Sequence, residues 1–137
     1  CYRAEAPLEL AARQRAAWQP LLDWFERRFQ AGLRVTAGVQ PLAQDKASAR
    51  RVATILGRYD VAMLAGLHSA TTITGSVVIG LALAEGEIDA DAAWRACVVD
   101  QAFQSERWGV DAQAASRDDS LRGDLEAAAT FMHHSRV

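Results

Sequence analysis

Cysteine, histidine and proline are scarce in this sequence of 137 residues, which has 2 Cys, 3 His and 3 Pro. Cys1 and Cys97 cannot build a disulfide framework, so a reducing compartment is the simpler assumption. The sequence also lacks the CxxC and HExxH spacings that typically bind zinc. We therefore predict no metal site.

Disordered and low-complexity classes are excluded by the composition, because half of the residues are hydrophobic and 23% are charged. Alanine makes up about a fifth of the chain, with 28 residues, whereas aromatic residues make up 7%. Alanine favours helices, and aromatic and β-branched residues favour strands. The length suits one ordinary domain, so we predict a single, mainly α domain over residues 1–137.

The net charge of −2 hides an asymmetry between the two halves of the chain. Residues 1–60 carry 10 Lys and Arg against 6 Asp and Glu, and residues 61–137 carry 5 against 11. The excess of positive charge in the first half is modest, so it gives little support to nucleic-acid binding. The simpler interpretation is that the two halves complement each other.

Helix signals divide the first half of the chain. Pro20 predicts one helix ending near Trp18 and a second over residues 20–30, with Gly32 as its terminator. Residues 33–37 alternate as a short extended segment would, and Asp45 can cap a helix that runs to about Arg58. In that last helix the periodicity predicts Ala49, Val52, Ala53, Ile55 and Leu56 inward, and Lys46, Arg50 and Arg51 largely outward.

No charged residue occurs from Val61 to Ala84. The segment is long enough to cross a membrane, but six polar side chains lie in its middle: His68, Ser69, Thr71, Thr72, Thr74 and Ser76. We therefore predict the central helix of a bundle, over about residues 61–85, rather than a membrane insertion. Ser76, Gly80 and Ala84 would let a neighbouring backbone approach closely.

Two further helices are predicted after Gly86. One runs over residues 89–108, with Asp89 as its cap, and ends before Gly109. The other runs over about residues 112–134 and directs five apolar side chains to the core: Leu121, Leu125, Ala128, Phe131 and Met132. The whole chain should form five to six helices around the central one, plus the short segment near 33–37.

The sequence contains no complete enzyme motif. Gly75–Gly80 resembles the start of a P-loop, but Leu81 and Ala82 stand where Lys and Ser or Thr would hold phosphate and magnesium. His68 beside Ser69 and Thr72 could act as a base, although a hydrogen-bonded core histidine is the simpler interpretation. We predict that the protein is not an enzyme.

Polar residues interrupt the apolar stripe of the 89–108 helix. Its members recur at steps of three and four: Ala93, Ala96, Cys97, Asp100, Phe103, Gln104, Arg107 and Trp108. Asp100 and Gln104 could pair with other helices and fix the packing. Alternatively, the stripe faces a groove used by a partner.

The order of several short motifs resembles the C-terminal helical region of the Atp12 chaperones. The motifs are Leu67-His68, Thr71 or Thr72, Gly75-Ser76, Leu81-Ala82-Leu83-Ala84, Gly86, Ala93-Trp94, Asp100, Gln104 and Trp108-Gly109. Upstream, Tyr2-Arg3-Ala4, Pro7, Gln14, Trp18-Gln19-Pro20 and Trp24 are similar to the segment that enters this region in the family. The resemblance spans nearly the whole chain.

The resemblance implies an assembly chaperone that binds the unassembled F1 ATP synthase α subunit and prevents its aggregation, with no cofactor. It implies an important acidic residue that Asp100 matches best, although Gln101 and Ala102 follow where the family tends to be more acidic. We expect the partner surface to comprise Asp100, Gln104, Arg107, Trp108 and Phe103. Trp108 could equally be a core anchor.

By the same resemblance, this chain would be the C-terminal part of a longer protein whose small β-rich N-terminal domain is absent here. That missing domain would then be a further partner of this one. A bacterial member would act in the cytoplasm and a eukaryotic one in the mitochondrial matrix. The alternative functions are a structural or interaction domain of a larger protein and, less simply, a small helical enzyme that uses His68.

Overall fold

A computed structural model describes residues 1–136, which are mainly helical, as predicted. They form two compact units, of which the first spans Cys1–Arg58 and the second begins at Tyr59. The N-terminal unit contains β1 (Tyr2–Arg3), α1 (Leu8–Phe29), β2 (Thr36–Ala37) and α2 (Lys46–Leu56). The C-terminal unit contains α3 (Val61–Thr74), α4 (Val77–Glu85), α5 (Ala90–Cys97), α6 (Val99–Trp108) and α7 (Ala112–Ser135).

Helix α1 is continuous through Pro20, so the predicted break between Trp18 and Pro20 is wrong. Proline has no backbone N–H, so the carbonyl of Ala16 receives no helical hydrogen bond from residue 20. Ala16 and Pro20 are both exposed, and a carbonyl that faces solvent without a helical partner costs little free energy. Beyond Pro20, Trp24, Phe25 and Phe29 are buried with ring centroids 5.0 to 6.4 Å apart. This aromatic cluster favours continuation of the helix.

The predicted extended segment at 33–37 contains β2, which pairs with β1 in parallel, Tyr2 opposite Thr36 and Arg3 opposite Ala37. Strand β1 was not predicted, because two residues are too few to show alternation. Helix α1 ends at Phe29, within one residue of the predicted end near Gln30, but Gln30, and not Gly32, takes the left-handed conformation there, at φ 51°.

Helix α2 begins as predicted, with the Asp45 side chain accepting a hydrogen bond from the Ala47 backbone N–H. Lys46, Arg50 and Arg51 are exposed, as expected. Of the residues predicted inward, Val52, Ile55 and Leu56 are half-buried, whereas Ala49 and Ala53 are exposed. Helical spacing overestimated this apolar face because small alanines fit an exposed face as readily as a buried one.

The predicted helix over 61–85 is two helices, because the chain turns at Gly75 and Ser76. Gly75 has φ 66°, a conformation that favours glycine, and the Ser76 hydroxyl accepts a hydrogen bond from the Ile79 N–H at 3.3 Å. Gly75 ends one helix and Ser76 caps the next. The sequence prediction overlooked this pair because the apolar residues continue on both sides of it.

Helix α4 occupies the centre of the C-terminal unit, and every residue from Val78 to Ala84 is buried. Gly80 packs closely on α3, since a Cβ there would lie 2.5 Å from the Thr71 hydroxyl oxygen. Helix α3 is different, because His68, Ser69 and Thr72 are exposed. The expectation that other helices enclose these polar groups is therefore wrong: they lie on the outer side of α3.

Helix α7 follows the prediction closely, beginning after Asp111, whose carboxylate accepts a hydrogen bond from the Gln113 N–H at 3.0 Å. Leu125, Ala128 and Met132 are buried and Leu121 is half-buried. Phe131, predicted in the core, is 49% exposed. In the part of the chain that the structure describes, no helix is long and apolar enough to cross a membrane.

Candidate binding surface on helix α6

The helix predicted over 89–108 is interrupted at Val98, which separates α5 from α6 with φ −97° and ψ 13°. Ala93 and Ala96 of α5 are buried, and Cys97 at its end is half-buried. Because the interruption breaks the helical period, the steps of three and four counted from Ala93 to Trp108 do not describe one face. The stripe therefore has a buried part on α5 and an outward part on α6.

Four of the five predicted site residues are exposed on α6: Asp100, Gln104, Arg107 and Trp108. Asp100, Gln104 and Trp108 follow one another at steps of four, which places them along one side of the helix. The prediction that these polar groups interrupt a buried face is therefore wrong, and so is the alternative that Trp108 is a core anchor, since it is 85% exposed. The structure brings the predicted residues together as an outer face.

Phe103 is the exception among the predicted residues, because it is 5% exposed. The Arg107 guanidinium carbon lies 4.4 Å from the centre of the Phe103 ring, within the range of a cation–π contact. Beside it, the Gln101 amide donates a hydrogen bond of 2.5 Å to the Asp118 carboxylate of α7. Phe103 and Gln101 therefore attach α6 to the unit and leave its outer face available.

Apolar surface extends beyond the end of α6. Gly109, at φ 88°, ends the helix, and its N–H donates to the Ser105 carbonyl at 3.0 Å. The following Val110 is 72% exposed, so a second exposed apolar side chain lies two residues after Trp108 in the chain. Sequence reasoning missed Val110, although its position after a helix-stopping glycine was a usable signal.

Asp100 and Trp108 lie at opposite ends of this face. Asp100 lies in the first turn of α6, where the helix dipole favours a carboxylate, and Arg107 lies in the last turn. Eight residues of helical rise, about 12 Å, separate Asp100 from Trp108. A carboxylate at one end and an exposed tryptophan at the other suit recognition of a protein surface, because aromatic and charged anchors dominate such contacts. We call Asp100, Gln104, Arg107, Trp108 and Val110 the α6 face.

The Cys97 thiol lies just before this helix. Burial raises its pKa to about 11, so the thiol stays protonated and is a poor nucleophile and metal ligand near neutral pH. Among residues 1–136, no group of three or more His, Cys, Asp or Glu side chains is placed to hold a metal ion.

His68 is exposed, so its interpretation as a core histidine is wrong. The Thr72 hydroxyl donates a hydrogen bond of 2.8 Å to the His68 backbone carbonyl, one helical turn earlier. Within the described residues, no hydrogen bond joins the His68 ring to Ser69 or Thr72. The arrangement gives no support to a nucleophile activated by an adjacent base.

Similarity to solved structures decides the family. Atp12 from Paracoccus denitrificans has 36% sequence identity to this chain and a TM-score of 0.93, over 96% of this chain and 57% of that one. The chain belongs to the Atp12 family. The resemblance inferred from the motifs is therefore confirmed.

Two further structures agree with this assignment. An aspartate-to-lysine mutant of the Paracoccus Atp12 protein is 35% identical with a TM-score of 0.95, over 98% of this chain and 57% of that one. A proposed chaperone from Agrobacterium tumefaciens is 36% identical with a TM-score of 0.90, over 100% of this chain and 51% of that one. The chain thus spans little more than half the length of each of these proteins. No protein-family model matches it.

Proposed function

We propose that the protein is an assembly chaperone that binds the unassembled F1 ATP synthase α subunit and prevents its aggregation before it joins the β subunit. The observation that carries this proposal is the similarity to Paracoccus Atp12 over 96% of the chain. The likeness to a proposed chaperone from a second bacterium supports it. A bacterial member would act in the cytoplasm and a eukaryotic one in the mitochondrial matrix, and the bacterial origin of both relatives supports the first of these proposals.

The α6 face is the proposed contact with the client. Trp108 and Val110 supply exposed apolar surface, and Asp100 and Arg107 supply charges of both signs. Phe103 supports this face from beneath and does not touch the client, since it is buried. Binding through such a face needs neither a cofactor nor a catalytic group, so the protein acts by transient association without turnover.

The aggregation of the client tests this function. Isolated F1 α subunit is diluted from denaturant with a stoichiometric amount of the full-length protein, and light scattering is followed. We expect less scattering than with an unrelated helical protein of similar size. Equal scattering in the two samples would contradict the proposal, and the likeness to Atp12 would then concern the fold alone.

Substitution of Asp100 tests the contact surface separately. Asp100→Lys should weaken client binding about tenfold, which corresponds to about 1.4 kcal/mol. The same change removes a favourable helix-dipole interaction worth at most about 1 kcal/mol at an exposed site, so the helical circular dichroism should be retained.

Glu87→Lys is the matched control for this substitution, because Glu87 is an exposed acid of the same unit outside α6. It makes the same change in net charge and should leave client binding unchanged. If both variants weaken binding equally, the α6 face is not the specific contact. If Asp100→Lys instead removes the helical signal, Asp100 is a structural residue and not a contact.

A further inference from the structure

A groove runs between α3 and α7 on the C-terminal unit, with a volume of about 630 Å³. Its walls include Ala65, Ser69 and Thr72 from α3, and Asp124, Ala127 and Phe131 from α7. On each helix these positions span seven residues or more, about 10 Å of helical rise. The groove is therefore two helical turns long, which is the length over which a third helix could make contact.

Small residues form the floor of the groove. Gly66 allows α3 and α7 to approach so closely that a Cβ at this position would overlap Met132 Cγ. Ala128, which also lines the groove, is buried in the same contact. Two helices joined through small residues leave a shallow channel between their ridges, and the side chains of another helix can fill such a channel.

The α7 wall of the groove is apolar at one end and acidic at the other. Phe131 is 49% exposed and presents its ring as a wall. Asp124 is exposed and forms no ion pair within residues 1–136. Besides His68, Asp124 is the titratable residue that lines the groove, and no Lys or Arg of the described chain lines it.

The charge of the C-terminal unit has the same sign. From Tyr59 onward the chain carries 12 Asp and Glu against 5 Arg, and α3 contributes no charge. A negative surface increases the encounter rate with positive partners and disfavours negative ones. The complementary occupant of the groove is therefore basic.

We propose that the α3–α7 groove binds a basic amphipathic helix of a partner protein. The apolar side of that helix packs on Phe131 and the small residues, and a Lys or Arg at its margin pairs with Asp124. This surface is separate in sequence from the α6 face, and the proposal does not depend on the identity of the client. It goes beyond the proposed function by assigning a second binding surface and the chemistry of its ligand.

Synthetic peptides test the charge preference. Two dansyl-labelled amphipathic peptides of equal length, one built from Leu and Lys and the other from Leu and Glu, are titrated with the whole chain, and fluorescence anisotropy is measured. We expect the Leu/Lys peptide to bind at least about tenfold more tightly. Equal binding of the two peptides, or no binding of either, would overturn the proposal.

Two pairs of variants separate the groove from general electrostatics. Asp124→Asn should weaken binding of the Leu/Lys peptide several-fold, whereas Asp119→Asn, which removes an exposed charge of α7 outside the groove, should have little effect.

Ser69→Trp should fill the groove and abolish binding of the peptide, whereas Gln113→Trp, at the exposed start of α7, should not. Equal effects within either pair would show nonspecific attraction and overturn the proposal. Circular dichroism verifies that each variant is folded.

Two measurements distinguish the partner helix from a second copy of the chain, and the groove from the α6 face. If sedimentation velocity shows that the chain alone forms a dimer that Ser69→Trp removes, the occupant is a second copy, and the proposal is overturned. Trp108→Ala on the α6 face should leave peptide binding unchanged, and a loss of binding would overturn the assignment to the groove. Peptide binding therefore tests the α3–α7 groove alone, and the aggregation assay tests the chaperone function separately.

Discussion

Helices α4 and α6 lie in the same unit and have nearly the same length, nine and ten residues, but opposite burial. Seven residues of α4 are buried, whereas Phe103 is the buried residue of α6. The sequences explain this difference, because α4 has no charged side chain before Glu85 and α6 carries Asp100, Glu106 and Arg107. Helix α4 therefore stabilises the unit, whereas α6 is attached through Phe103 and Gln101 and presents a surface.

The largest effect should come from truncating α4 in its buried centre. Leu81 is 1% exposed, and Leu81→Ala should lower the free energy of unfolding by about 2–5 kcal/mol, through lost apolar burial and the cavity left behind. Urea unfolding followed by circular dichroism measures this change. A loss below about 1 kcal/mol would contradict the stabilising role of α4.

A smaller effect should follow from adding volume where α4 meets α3. Gly80→Val places a Cβ 2.5 Å from the present position of the Thr71 hydroxyl oxygen, so the two helices must separate. We expect a loss of about 1–3 kcal/mol in the same unfolding experiment. Gly123→Val is the matched control, since a Cβ there meets nothing within 4 Å. Equal losses in the two variants would show that helix propensity, and not close packing, explains the glycine.

The reactivity of Cys97 tests the junction between the buried α5 and the exposed α6. With its pKa raised from 9.0 to about 11, this thiol should react with Ellman's reagent near pH 8 on the order of 100-fold more slowly in the folded chain than in denaturant. The variant Cys1→Ala isolates this reaction. A rate equal to that of the exposed Cys1 in a Cys97→Ala variant would show that the α5–α6 junction is open.

The same pKa shift fixes the sign of a pH effect. The folded state binds the Cys97 proton more tightly than the unfolded state does, so this stabilising contribution is present below pH 9. It should be lost as the pH rises from about 9 towards about 11. Replacing Cys97 with Ala should remove this part of the pH dependence and leave the remainder unchanged.

The sequence predicted helix caps better than helix continuity. Asp45 and Asp89 each cap a helix through the side chain, as predicted, because a cap depends only on the next three residues. Whether a helix continues depends on contacts with residues far away in the chain. The sequence therefore predicted a break at Pro20 that does not occur, and it did not predict the turn at Gly75. Helix propensity is a property of the local sequence, whereas burial of side chains against the rest of the unit decides whether a helix continues or turns.

The candidate site shows the same limit. Asp100, Gln104, Arg107 and Trp108 were correctly grouped on one helix, because their spacing is a local property. Their outward direction was not predictable, since the interruption at Val98 changes the phase of the apolar stripe. The α3–α7 groove was also missed, because it is formed by helices that lie far apart in the chain.

The most direct test of the α6 face as the client contact measures client affinity and stability on the same variant. Trp108→Ala should weaken binding of the full-length protein to F1 α subunit by about tenfold or more, as large exposed aromatic anchors do. Its free energy of unfolding should change by no more than about 0.5 kcal/mol, because the side chain is 85% exposed. Val61→Ala, in a residue 84% exposed on α3, is the control and should change neither quantity. Unchanged client affinity with Trp108→Ala would contradict the assignment of the α6 face as the client contact.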